Sequence, residues 1–222
     1  MKFDAIIFDF DGVLLESEFE GNRLLAELLT DLGHRMTTEQ ALDYFVGLSG
    51  PQFIAAIEQK IRGPLPEEFH DRRKAQSVRA LHEGVRAVTG AVEFVRSLPA
   101  GLPKAVASSS STGWLSGHLR NLGLADAFGT HVYSGREHVE RSKPAPDLYL
   151  HAAAALGVAI ERSVILEDSD IGVMGALASG ATVIGFSGGS HCFDGHGERL
   201  RALGVKHVAA SFSDVKALIG LD

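Results

Sequence analysis

Six short apolar runs separated by helical stretches constrain this chain more than any other feature. The runs Ala5–Phe10, Lys104–Ser108, His131–Ser134, Ser163–Glu167, Thr182–Phe186 and Lys206–Ala209 lack the polar alternation of a half-solvated strand. They therefore predict strands buried on both faces. Helical patterns cover Thr112–Leu122, Pro146–Leu156, Ile171–Ser179, His196–Leu203 and Ser213–Ile219, several of them closed by Gly123, Gly157, Gly180 or Gly204. Strand and helix in regular alternation predict an α/β fold, a Rossmann-like doubly wound parallel sheet with helices on both faces.

One stretch breaks the alternation. From residue 16 to residue 88 no strand pattern is evident, whereas Leu24, Leu25, Leu28, Leu29 and Leu32 form an apolar helical stripe. Further helices are predicted near Thr38–Phe45, Pro51–Ile61 and Pro66–His82. The expected organisation is an α/β core over 1–15 and 89–222, with a helical cap over 16–88 inserted after the first strand. Open α/β sheets bind ligands beyond the carboxyl ends of their strands, so the cap is expected over that end.

Charge and cysteine content remove several classes of partner. The chain has 21 Lys+Arg against 28 Asp+Glu, a net charge of −7, and no basic run longer than Arg72-Arg73-Lys74, which argues against nucleic acid and anionic membrane surfaces. Small anions fit only where local charges reverse that field. A single cysteine, Cys192, supports neither an internal disulfide nor a thiolate zinc cluster. The first apolar run is interrupted by Asp4, Asp9 and Asp11, unlike a signal peptide or membrane span, so a cytoplasmic location is expected.

The candidate chemistry gathers at strand ends. The first strand runs into Asp9-Phe10-Asp11-Gly12; residues i and i+2 share a strand face, so the two carboxylates are expected side by side. Taken alone, such acids can simply be solvated. The run Val164-Ile165-Leu166 ends in a second acidic pair, Glu167-Asp168, before a helix, where the acids could instead serve as helix caps. If the two strands are neighbours, four carboxylates converge, and a hard divalent cation with oxygen ligands, Mg²⁺, is the economical compensation. Ser108-Ser109-Ser110-Ser111-Thr112 places hydroxyls and amides ahead of a helix, suited to phosphate oxygens or to ordinary capping. Lys143, followed by Pro144 and Pro146, is a counter-charge for the acids and for an incoming anion. His191, Cys192 and His196 lack a fourth ligand for a soft metal, which favours a substrate-facing or structural loop. Trp114 and the twelve phenylalanines are read as core and cap-packing residues.

In order and spacing, Asp9-Phe10-Asp11-Gly12-Val13, Ser108, Lys143-Pro144 and Glu167-Asp168-Ser169 resemble the four motifs of the haloacid dehalogenase superfamily. The helical insert resembles the C1-type cap of the subfamily that includes β-phosphoglucomutase and phosphoglycolate phosphatase. The resemblance implies Asp9 as nucleophile, Asp11 as general acid and base, and Ser108, Ser109 and Lys143 as phosphate-binding residues. It implies Mg²⁺ on the Asp9 and Asp168 carboxylates and the Asp11 carbonyl, with Glu167 bound directly or through water. Gly47, Ser49 and His191 are candidate substrate contacts.

Departures from relatives narrow the expected activity. Dehalogenases lack the second aspartate of the first motif. Mutases carry a histidine shortly after that motif and cations in the cap loop, whereas Glu16–Gly21 has no histidine and Val46–Gly50 has no Lys or Arg. The cap lysines Lys60 and Lys74 do not stand where phosphonatases place theirs. The expectation is an Mg²⁺-dependent phosphatase acting on a small phosphorylated metabolite, a sugar or sugar-acid phosphate, as a monomer or weak homodimer. A sugar phosphomutase is the alternative, with a non-catalytic phosphometabolite-binding protein less favoured.

Overall fold

A computed structural model describes residues 2–46, 48 and 50–221. In chain order the elements are β1 (Ala5–Phe8), α1 (Ser17–Asp31), α2 (Thr38–Phe45), α3 (Gly50–Ile61), α4 (Glu68–Glu83), α5 (Ala91–Ser97), β2 (Lys104–Ser108), α6 (Thr112–Asn121), α7 (Ala125–Phe128), β3 (Val132–Ser134), α8 (Asp147–Ala155), β4 (Ser163–Glu167), α9 (Asp170–Ser179), β5 (Thr182–Phe186), α10 (His196–Ala202), β6 (His207–Ala209) and α11 (Phe212–Ile219). All strand pairs are parallel, in the order β3-β2-β1-β4-β5-β6. This is the doubly wound order expected from the alternation, and its direction reverses between β1 and β4.

The apolar runs become strands because both sheet faces are covered. Ile7 and Ile165 pack with Leu148, Tyr149 and Ala152 of α8 and with Val173 and Ala176 of α9. The next residue, Phe8, points to the opposite face. There its ring meets Phe94 at 6.1 Å and Phe128 at 5.7 Å, while Phe212 stacks on Phe94 at 4.9 Å. Each fully buried side chain of this size contributes about 1.5–3 kcal/mol through burial.

Compact units form from Met1–Glu16 with Arg86–Asp222 and from Ser17–Val85. The second has its own apolar centre, in which Leu25, Leu28 and Leu29 of α1 join Ala41 and Phe45 of α2, Ile57 of α3 and Phe69 of α4. Helix α2 starts at a capping box: Thr37 Oγ1 accepts from Gln40 N–H, and Gln40 Oε1 accepts from Thr37 N–H. In the first unit, Glu16 N–H donates to Arg86 O at 3.0 Å and Val88 N–H to Leu14 O at 3.1 Å. Among the described residues no helix is long and apolar enough to cross a membrane.

Two expectations need correction. The first strand stops at Phe8 rather than Phe10: Asp9 N–H still bonds Leu166 O at 2.9 Å, but Phe10 O then accepts from Leu14 and Leu15, so the chain turns. Phe10 is apolar because it is buried in that turn. The helices α5 and α7, of seven and four residues, are not among the expected elements; α7 completes little more than one turn and shows no readable period.

Candidate active site

Two sets of side chains flank the end of β1. On the β4 side, Asp9, Glu167 and Asp168 are buried and each offers a carboxylate oxygen within 4.8 Å of the others. Strand pairing places them: Phe8 is in register with Leu166, so the residues that follow emerge together where the sheet order reverses. The Lys143 ammonium lies between, with Nζ 2.5 Å from Asp9 Oδ1 and 3.2 Å from Glu167 Oε1, and its side chain only 4% exposed. Glu167 is held by four donors. Its Oε2 accepts from the Asp168 and Ser169 amides at 2.7 and 3.2 Å, and its Oε1 from Ser169 Oγ at 3.0 Å and from Lys143. The space for this carboxylate exists only because residue 172 is glycine: a Cβ there would lie 1.2 Å from Glu167 Oε1.

On the β2 side the donors are neutral. Asp11 Oδ2 accepts from Ser108 Oγ at 3.1 Å and Ser110 Oγ at 2.7 Å, and Asp11 Oδ1 from the Trp114 indole N–H at 3.1 Å. Ser110 N–H donates to Ser108 Oγ, and Ser111 caps α6 by accepting from Trp114 N–H, which orients the first turn carrying the indole. His118, one turn on, is buried edge-to-face against Trp114 with ring centroids 4.1 Å apart. Burial pushes its imidazole below the usual histidine value, against the opposing pull of Asp11.

Charge balance on the β4 side is unequal. Burial, reinforced by Glu167 and opposed by Lys143, holds the Asp9 carboxyl well above the usual carboxylate range. Burial alone would lower the Lys143 value, but the Asp9 and Glu167 carboxylates outweigh it and keep the ammonium well above its ordinary value. Among the described residues, Asp9 and Glu167 thus share one lysine, while Asp168 meets His191. An all-oxygen donor set short of positive charge suits a hard divalent cation, so these residues fit Mg²⁺.

The residues singled out in the sequence thus fall into two sets. Asp9, Lys143, Glu167 and Asp168 are gathered on one side, while the Asp11 carboxylate stands apart with Ser108. Ser109 is half-buried on the turn between Ser108 and Ser110. His191 is buried with Nε2 2.8 Å from Asp168 Oδ2. Gly47 and Ser49 lie outside the described residues. Trp114 is not simply a packing residue: its N–H contacts Asp11, and only the placement of α6 reveals this. Phe193 likewise departs from expectation, at 48% exposed.

Comparison with known proteins places the chain in a family. The description "Haloacid dehalogenase-like hydrolase" matches residues 6–186. The chain belongs to the haloacid dehalogenase-like hydrolases. This hydrolase is similar to a solved HAD family hydrolase from Deinococcus radiodurans R1 with bound phosphate and sodium, at 36% identity and TM-score 0.83, covering 99% of this chain and 97% of that one. It is 33% identical to a phosphorylated carbohydrates phosphatase of Thermotoga maritima, over 80% of this chain and 82% of the relative. It is 28% identical to a fructose-1-phosphate phosphatase of Escherichia coli K12, over 82% and 96%.

Proposed function

We propose that this hydrolase is an Mg²⁺-dependent phosphatase of a small phosphorylated sugar or sugar acid, acting through an aspartyl phosphate on Asp9. The observation that carries the reading is the buried Asp9–Lys143 pair beside Glu167 and Asp168, with Asp11 two residues on. The relatives named for phosphorylated carbohydrates and fructose 1-phosphate support the substrate class.

In this reading Asp9 Oδ attacks phosphorus, the ester P–O bond breaks, and protonated Asp11 gives its proton to the leaving oxygen. Asp11 then takes a proton from the water that hydrolyses the aspartyl phosphate, releasing phosphate and restoring Asp9. Lys143 and the Ser108 and Ser109 region hold the transferring group and offset its charge. Asp9 and Asp168, with the Asp11 carbonyl, would hold Mg²⁺. Glu167, already engaged by four donors, would help to hold it directly or through water. Bound Mg²⁺ supplies charge neutralisation for the carboxylates and phosphoryl oxygens.

The test is hydrolysis of p-nitrophenyl phosphate, followed by a panel of sugar and sugar-acid phosphates. Activity is expected to need Mg²⁺, to stop with EDTA and to vanish in Asp9→Asn; EDTA-resistant turnover, or an active Asp9→Asn enzyme, would overturn the proposal. Transfer between positions of a sugar phosphate well above hydrolysis would favour a mutase instead.

A further inference from the structure

We infer that His191 and His196, on the loop after β5, are positioning residues that fix Asp168 for cation binding, one through its side chain and one through its main chain. The inference rests on the proposed Mg²⁺-dependent reading of the same site. His191 Nε2 lies 2.8 Å from Asp168 Oδ2, and a carboxylate only accepts, so this nitrogen carries a proton. His196 Nε2 is 2.8 Å from the Asp168 carbonyl oxygen, and its Nδ1 is 3.2 Å from Arg199 Nη2. A carbonyl can only accept and a guanidinium can only donate, so His196 is the neutral ring protonated on Nε2. Arg199 Nε in turn lies 3.0 Å from Asp170 Oδ1, so the contacts run from Asp168 to the first residue of α9, two positions on.

The loop itself is anchored. Ser190 donates its N–H to both Glu16 carboxylate oxygens at 3.2 and 3.0 Å, and its Oγ to Glu16 Oε1 at 2.9 Å. The opposite wall is Gly12, whose φ is +85°; a Cβ there would stand 2.2 Å from Asp168 Oδ2 and 2.8 Å from His191 Cε1. His191, Cys192 and His196 do present three donor atoms close together, the arrangement of a soft metal site. Both His196 nitrogens and His191 Nε2 are already engaged, however, so a cation held by those atoms would compete with Asp168 and Arg199 for them. Ligands of a metal are ordinarily oriented in this way by outer hydrogen bonds, whose loss costs about 10–100-fold in metal affinity or activity.

The test compares His191→Leu, which removes the donor at similar volume, with His191→Gln, which restores an N–H. Mg²⁺ affinity is measured by calorimetry without substrate, alongside melting temperature and the KM for p-nitrophenyl phosphate at saturating Mg²⁺. The expected result is Mg²⁺ affinity about 10–100-fold weaker in the Leu variant and within about threefold of wild type in the Gln variant. Wild-type Mg²⁺ affinity in a folded Leu variant would overturn the inference. If the Leu variant does not fold, the wild-type His191 Nε2–H resonance decides: it is expected to shift on adding Mg²⁺, and an unmoved signal overturns the inference. Zn²⁺ bound in wild type but lost in Cys192→Ala and His196→Gln would overturn it in favour of a separate metal site. Failure of the underlying reading is distinct, because wild-type hydrolysis would then not depend on Mg²⁺ at all.

Discussion

The two sides of the β1 terminus hold their carboxylates by different means. On the β4 side, Asp9, Glu167 and Asp168 are buried, cross-linked by main-chain amides, a lysine and a histidine, and crowded enough to need added positive charge. On the β2 side, Asp11 sits among two hydroxyls and an indole N–H, all neutral. Charged, preorganised donors give a rigid site with strong fields, whereas neutral donors can exchange partners at little cost. The first arrangement suits a fixed cation and the second a carboxylate that must give and take a proton.

Substitutions should separate the two sides. The largest loss, on the order of 10³-fold or more in kcat, is expected for Asp9→Asn, because the proposed mechanism has no other nucleophile. Mass spectrometry of the acid-quenched wild type should find phosphate on Asp9, and none in the variant. Lys143→Met is expected to lower kcat by about 10²-fold and stability by about 3 kcal/mol, since it leaves buried carboxylates without their cation. Added Mg²⁺ should recover part of that stability in thermal melts, and no recovery would count against a cation on the β4 side.

Effects on the β2 side should be smaller and independent of Mg²⁺ concentration. Trp114→Phe keeps a ring but loses the N–H to Asp11, and kcat is expected to fall about tenfold with unchanged Mg²⁺ dependence. Trp114 is the only tryptophan, so its emission reports this contact directly, and Asp11→Asn should shift it. Ser110→Ala, with Ser108 still bonded to Asp11, is expected to cost about threefold. A change in Mg²⁺ dependence in either the Trp114 or the Ser110 variant would erase the distinction between the sides.

How much was legible in the sequence follows the same division. Strands β2, β4 and β5 have the bounds their apolar runs predict, because both faces are buried and the pattern stops where burial stops. The first strand was overrun by two residues because Phe10 is buried in a turn, and hydrophobicity reports burial rather than backbone shape. Asp9, Glu167 and Asp168 were readable because they stand at the ends of neighbouring strands. The expected side-by-side placement of Asp9 and Asp11 fails, since the strand ends at Phe8 and Asp11 lies in the turn, bonded to Ser108 and Ser110. Trp114 and the histidines of the β5 loop were not readable, since their partners lie 103 residues away for Trp114 to Asp11 and 28 residues away for His196 to Asp168. Only the packing of the elements creates such contacts.

The glycines at 12 and 172 carry a consequence for how this sequence can change. Each keeps a volume open for a carboxylate oxygen, that of Asp168 in one case and of Glu167 in the other. A deep mutational scan should therefore find these two positions as intolerant as the acids beside them, although neither has a side chain to lose. Alanine, the mildest substitution elsewhere, would be disabling at both, and a tolerant variant would be expected to carry a second change at Asp168 or Glu167. Selection at this site thus acts on empty space as strictly as on functional groups.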